Sequence, residues 1–269
     1  MPLRRIFIDG IDGQMHVRIS DTVSQNNTIP LYCIHQSPSS SIVYAPIIET
    51  MQSNRTVAAG DTPGFGESSP PKIIPDIEYY AKAHGHILDK LKFNQKVDLM
   101  GYFTGSKIAI ELAIQRPKQI RKIILFGIPI YNNQELKDEK EFYKKDKYSW
   151  DGAHIKKWWN HLKKNAPSNY PIELFIKHFT EIQKGGINSW WGHHAAFNFI
   201  PEVHLPKVKV PIMVFCTKDA QGEKSKRAEK YIKNSIFVNL PFEGQGALDL
   251  HTKVITDHMN RFLDHEYNL

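Results

Sequence analysis

The 269-residue sequence is poor in cysteine, with only Cys33 and Cys216, each inside an apolar, strand-like run. Two thiols cannot build a disulfide framework, so buried, inert cysteines in a reducing cytoplasm are expected. No stretch approaches the roughly 20 apolar residues of a membrane span. The N-terminal segment from Met1 to Asp9 is basic and then strand-like, without the long apolar run of a signal peptide. Internal repeats and low-complexity tracts are absent. Charge of one sign is not concentrated either. The formal net charge is +7, but Lys144-Lys145, Lys156-Lys157 and Lys163-Lys164 are scattered among acids. That pattern fits a solvated surface, not a nucleic-acid face. Among 13 histidines, His193 and His194 are adjacent and no carboxylate stands at ligand spacing from them, so neither a metal nor a cofactor is expected.

What is present is enough for a large core: 41% of the residues are hydrophobic and 23% charged. Ile6–Ile8 and Met15–Ile19 flank a glycine-bearing turn and predict a hairpin. Short apolar runs at 29–34, 55–59, 96–100, 120–126, 210–216 and 235–240 predict six further strands. Between them the spacing predicts helices over 39–51, 77–91, 105–115 and 250–263, the third closed by Pro117. This alternation requires an α/β fold with a mostly parallel, eight-stranded sheet covered by helices on both faces. The exception is residues 131–205, which lack strand runs and hold every tryptophan: Trp150, Trp158, Trp159, Trp190 and Trp191. A connection that long is rarely structureless. It is expected to be a helical cap inserted into a core formed by residues 1–130 and 206–269. Its tryptophans either form the cap's own core or line a pocket against the sheet.

Four motifs, in order, carry a resemblance. His35-Gln36-Ser37-Pro38 follows the third strand, and Asp61-Thr62-Pro63-Gly64-Phe65-Gly66-Glu67-Ser68 follows the next. Gly101-Tyr102-Phe103-Thr104-Gly105-Ser106 joins a strand to a helix, and Cys216-Thr217-Lys218-Asp219 ends a late strand. Over nearly its whole length the chain resembles the α/β-hydrolase family, whose nucleophile elbow reads Gly-x-nucleophile-x-Gly. It is also similar to a subgroup whose elbow reads Gly-His-His-Thr-Gly and which has lost the family histidine. Thr104-Gly105 and Asp151-Gly152-x-His154 carry that finer likeness.

The resemblance places Phe103, Asp219 and Gln245 at the triad positions. Hydrolysis by covalent attack needs an oxygen or sulfur lone pair, which Phe103 lacks. A bulky residue at positive φ in such an elbow costs on the order of 1–3 kcal/mol. Gln245 donates and accepts hydrogen bonds but does not shuttle protons. His251, a little further on, is expected within the final helix and not as a displaced base.

What survives is implied by the same likeness. The backbone N–H groups of Ser37 and Thr104 would form an oxyanion hole at the start of a helix. His35 is expected to order its loop, and Asp61 to brace its own turn. The pocket is expected to include His35, Gln36, Tyr102, Trp158, Trp190, Trp191, His193 and His194. A small carbonyl or carboxylate compound is the expected ligand, with neither nucleic acid nor membrane as a partner. Three activities follow. One is acid–base chemistry without a covalent intermediate, with Asp219 as base or orienter and Tyr102 or a cap histidine as acid. The second is non-catalytic binding. The third, an ordinary esterase using Thr104 or Ser106, suffers from Thr104 turning away and Ser106 lacking a base.

Overall fold

The computed structural model describes residues 3–21, 28–93 and 96–264. Met1 and Pro2, which open the basic N-terminal segment, lie outside them. The strands are β1 (Arg4–Asp9), β2 (Gln14–Ile19), β3 (Leu31–Ile34), β4 (Val57–Gly60), β5 (Val97–Tyr102), β6 (Ile120–Phe126), β7 (Ile212–Cys216) and β8 (Ser235–Asn239). They form one eight-stranded sheet in the order β1-β2-β4-β3-β5-β6-β7-β8. β1 and β2 make the expected hairpin, with Ile6 opposite Val17. β2 also runs antiparallel to β4, and the remaining pairs are parallel. Every residue of β3, β4, β5 and β7 is buried, which explains the unbroken apolar runs of β3, β4 and β7: a strand covered on both faces has no solvent side to pattern. In β5 the buried Asp98 accepts from the Arg121 guanidinium.

The helices are α1 (Ala45–Met51), α2 (Ile77–Lys90), α3 (Thr104–Gln115), α4 (Asn133–Phe142), α5 (Ala153–Asn165), α6 (Ile172–Gln183), α7 (Trp191–Asn198), α8 (Pro201–His204), α9 (Ala220–Lys226), α10 (Ala247–Leu250) and α11 (Thr252–Asp264). α2 and α3 bury one face of the sheet, through residues such as Tyr80, Leu88, Ile108 and Leu112. α1 and α11 bury the other, through Ile47, Met51, Met259 and Phe262. Local chemistry sets their ends. Asp76 accepts from the Tyr79 N–H and starts α2, while Asn132 and Glu135 form a reciprocal capping box on α4.

Two helix expectations need correction. Residues 39–51 do not form one helix: a 3-10 turn over Ser41–Tyr44 precedes α1. Pro46 lacks an N–H and is tolerated only in a first turn, so the α-helix begins beside it. The final helix starts two residues later than expected, at Thr252, so His251 is not part of it. His251, at φ −127°, lies between α10 and α11, and its ring stacks on Phe242 with centroids 3.8 Å apart.

Parallel register aligns the carboxyl ends of the central strands. Ile34 pairs with Gly101, Tyr102 with Phe126, and Phe126 with Phe215. The loops leaving those ends therefore converge on one edge, where open α/β sheets hold their ligands. Helices α4 to α8 all fall between β6 and β7 in the chain.

Candidate functional site

Phe103 occupies the turn between β5 and α3 at φ 46° and ψ −99°, a strained conformation for a bulky residue that costs on the order of 1–3 kcal/mol. The turn is locked from both sides. A Cβ at Gly105 would lie 1.9 Å from the Ile34 carbonyl oxygen, and one at Gly101 would lie 2.3 Å from that of Gly105. Only glycines allow α3 to start this close to the sheet. The elbow geometry is thus kept while its third residue offers no lone pair. The Phe103 ring stacks on Tyr102 with centroids 5.0 Å apart. It also lies against Gly127, where a Cβ would meet it at 2.5 Å.

Phe103, Asp219 and Gln245 all line one cavity of about 700 Å³ between the sheet edge and the inserted helices. Asp219 is fully engaged by its surroundings. Its Oδ1 accepts from the backbone N–H groups of Gln221 and Gly222, capping α9, and from the Thr217 hydroxyl. Its Oδ2 accepts from the Gly244 N–H at 2.8 Å. Gln245 turns elsewhere: its Nε2 donates to the Leu162 carbonyl in α5 at 2.8 Å, tying the core loop to the inserted helices.

The loop after β3 supplies unpaired polar groups. Ser37 and Thr104 both line the cavity, and among the described residues neither backbone N–H has an acceptor. The Gln36 Oε1 and Ser37 Oγ atoms are buried without hydrogen-bond partners. His35 is committed to structure. Its Nδ1–H donates to the Gln36 carbonyl at 2.8 Å and its Nε2 accepts from the Thr62 N–H at 2.9 Å. Burial lowers its pKa and holds the ring neutral. The Asp61 carboxylate accepts from the N–H groups of Ser41 and Glu67, bracing the turn it opens. Tyr102 lines the cavity, but its hydroxyl donates to the Gly244 carbonyl at 2.7 Å, and burial pushes its pKa well up. It therefore holds its proton in a structural bond. The Ser106 hydroxyl is similarly spent on the Gly101 carbonyl, and Thr104 borders the cavity at the start of α3.

The inserted helices divide the tryptophans residue by residue. Trp158 lines the cavity, with its indole N–H donating to Asp146 at 2.9 Å. Trp159 packs edge-on against Phe175 and Phe179, within the inserted helices' own core. Trp150 is fully exposed. Of the adjacent pairs, His193 lines the cavity, stacked on Tyr143 with centroids 3.9 Å apart. Burial lowers its pKa to about 3, so it is a neutral imidazole there. Trp190, Trp191 and His194 lie outside the lining, as does His35. His194 is exposed and bonded to Asn198, and Trp190 packs against its ring.

Two features of the cavity escaped the sequence. His178 in α6 and Asp249 in α10 form a hydrogen-bonded pair at 2.9 Å, with the Tyr170 hydroxyl donating to the same carboxylate oxygen at 3.3 Å. All three line the cavity. Lys107, one turn beyond Phe103 on α3, lines it too and is 4% exposed. Its helical spacing from the elbow was the one available signal. Among the described residues no group of three or more potential metal ligands gathers, and no helix is long and apolar enough to cross a membrane.

Comparison with known proteins agrees with this architecture. A family model described as "alpha/beta hydrolase fold" matches residues 29–152. The mouse (Mus musculus) protein serine hydrolase BPHL is 23% identical over 234 residues, covering 82% of this chain and 72% of the mouse protein. A 2-hydroxymuconate semialdehyde hydrolase of Pseudomonas sp. (strain CF600) is 32% identical over 131 residues, covering 46% of this chain and 42% of its own. Among solved structures, a thermophilic esterase from Thermogutta terrifontis superposes with a TM-score of 0.79 at 18% identity, covering 97% of this chain and 98% of the esterase. The strand order, the glycine-locked elbow and these matches together make the chain an α/β-hydrolase-fold protein.

Proposed function

We propose that this protein holds a small carbonyl- or carboxylate-bearing ligand between the sheet edge and residues 131–205, which act as its cap. We further propose that it does not process that ligand by a covalent Ser-His-Asp route. The observation that carries the reading is the elbow itself. Phe103 keeps the strained conformation of a nucleophile while offering none, and Gln245 is spent on the Leu162 carbonyl. Support for a ligand comes from the unpaired N–H groups of Ser37 and Thr104, which suit an oxygen carrying partial negative charge. A relative named for a semialdehyde, a carbonyl compound, is in line with that class.

A second reading is favoured by His178 and Asp249. A histidine oriented by a carboxylate is the arrangement of a general base, and acid–base chemistry needs no nucleophile. One experiment separates the readings. Thermal unfolding with short aryl carboxylates and aryl aldehydes is expected to show a saturable rise in Tm. Under the same conditions, p-nitrophenyl butyrate is hydrolysed no faster than by unfolded protein. No stabilisation by any compound would remove the binding reading. Conversion of a stabilising compound, lost in His178→Gln, would establish the second.

A further inference from the structure

The cavity contains one buried ammonium without an ion-pair partner among the described residues. Its acidic residues are mostly satisfied: Glu139 accepts from the Gln221 amide at 3.0 Å and pairs with Lys224 at 3.5 Å, Asp219 accepts backbone N–H groups, and Asp249 pairs with His178. Glu243 and Lys164 are exposed to solvent. Lys107 is different. Among the described residues its ammonium makes a single hydrogen bond, to the Ala196 carbonyl in the last turn of α7 at 2.7 Å, and it has no carboxylate within ion-pair distance. It lies 5.7 Å from the Phe197 ring centroid and 5.9 Å from that of Tyr131.

An ammonium carries three donors, and a buried one is costly unless they are paired. Capping α7 uses one of them, as basic residues near helix C-termini do. The other two have no protein acceptor. Three more orphaned polar atoms border the same cavity: Gln36 Oε1, Ser37 Oγ and His193 Nδ1. A site that leaves this many polar atoms unpaired is built for something polar that is not part of the chain.

Resting on the reading that the cavity holds a ligand, we propose that Lys107 is its specificity-determining residue and selects an organic carboxylate with an aromatic or apolar body. The carboxylate sits on the two free ammonium donors, supplying the missing counter-ion. The body lies among Tyr143, Trp158 and Phe197. Thr104 and Lys107 are three residues apart on α3 and share one face. A second oxygen of the ligand would be taken by the N–H groups of Thr104 and Ser37, which line the same cavity.

The free amine is weakly basic here. Burial lowers its pKa from the ordinary 10.5 to about 8, against the opposing fields of Glu202 and Glu139, with Lys140 adding to the fall. Of the other groups that face it, His193 in α7 is already neutral, and burial pushes Tyr131 and Tyr143 well above the ordinary phenol range. Between about pH 7 and about pH 9 Lys107 is thus the group that changes charge, and carboxylate affinity falls roughly tenfold with its protonated fraction.

The test is calorimetric titration of the intact protein with 3-phenylpropionate and with its neutral isostere 3-phenylpropionamide. The acid is expected to bind about tenfold more tightly or better at neutral pH. Lys107→Met abolishes the preference, Lys107→Arg retains most of it, and in the wild type it fades as the pH is raised. Equal affinity for acid and amide in the wild type, unchanged with pH, overturns the role of Lys107 while leaving the ligand site standing. If neither compound binds, the ligand-site reading falls and takes this inference with it. The wild-type pH series decides the matter even if Lys107→Met does not fold.

Discussion

Phe103→Ser combined with Gln245→His is expected to hydrolyse p-nitrophenyl butyrate on the order of a hundredfold faster than the wild type, while neither single variant does so. The expectation follows from what the elbow has kept. A serine at φ 46° is held by the same close contacts of Gly101 and Gly105, in the cavity that Ser37 and Thr104 also line. Asp219 already reaches the neighbouring backbone at Gly244, so a histidine at 245 lies within range of a carboxylate that would orient it. Nucleophile and base act as a unit, so each alone restores little. The rate stays well below that of a natural hydrolase, because Gln245→His also removes the bond to Leu162, worth about 1 kcal/mol. Steady-state assays on the three variants check this. A double variant no better than wild type would mean that the rest of the site is not arranged for acyl transfer.

Lys107→Met is expected to stabilise the protein at neutral pH by about 2 kcal/mol, raising Tm by roughly 4–8 °C. The folded chain binds the lysine's proton more weakly than the unfolded chain, since burial brings the pKa from 10.5 to about 8. That difference is worth about 3 kcal/mol, offset by about 1 kcal/mol for the lost bond to Ala196. The sign follows from proton linkage. The penalty is present in full below about pH 8. It is relieved as the pH rises from about 8 towards 10.5, where the unfolded chain also loses its proton. The gain in Tm over wild type should therefore be largest at about pH 7 and shrink at about pH 10. Differential scanning calorimetry across that range measures it. Loss of stability at neutral pH would instead make the ammonium chiefly a cap for α7. A cation kept at the expense of stability is a common mark of a functional residue.

Most of the fold was legible because its signals are local. The apolar runs of β3, β4 and β7 mark strands covered on both faces, and the amphipathic spacing of 77–91 marks α2. The elbow was legible from Gly101 and Gly105, since only glycine permits those contacts. The local misses came from Pro46, which sits in the first turn of α1 behind a 3-10 turn, and from His251, which lies just outside α11.

The cavity's chemistry was harder to see because it is tertiary. Gln245 meets Leu162, and His178 meets Asp249, across large gaps in the chain that no spacing rule bridges. Lys107 sits on a helix whose position was evident, yet its missing counter-ion depends on where α7 lands. Adjacent pairs misled for a different reason. Neighbouring residues on a helix point in different directions, so His193 faces the cavity while His194 faces solvent. The tryptophans likewise separate, Trp158 to the cavity and Trp159 to the packing of α5 against α6.

Whether the elbow carries a nucleophile is tested most directly by intact-protein mass spectrometry after incubation with an alkyl fluorophosphonate, which phosphonylates activated serines. The wild type should show no added mass, and the Phe103→Ser/Gln245→His variant should take up one equivalent at residue 103. A stoichiometric adduct on wild-type Ser37, Thr104 or Ser106 would contradict the proposal and restore an ordinary covalent hydrolase.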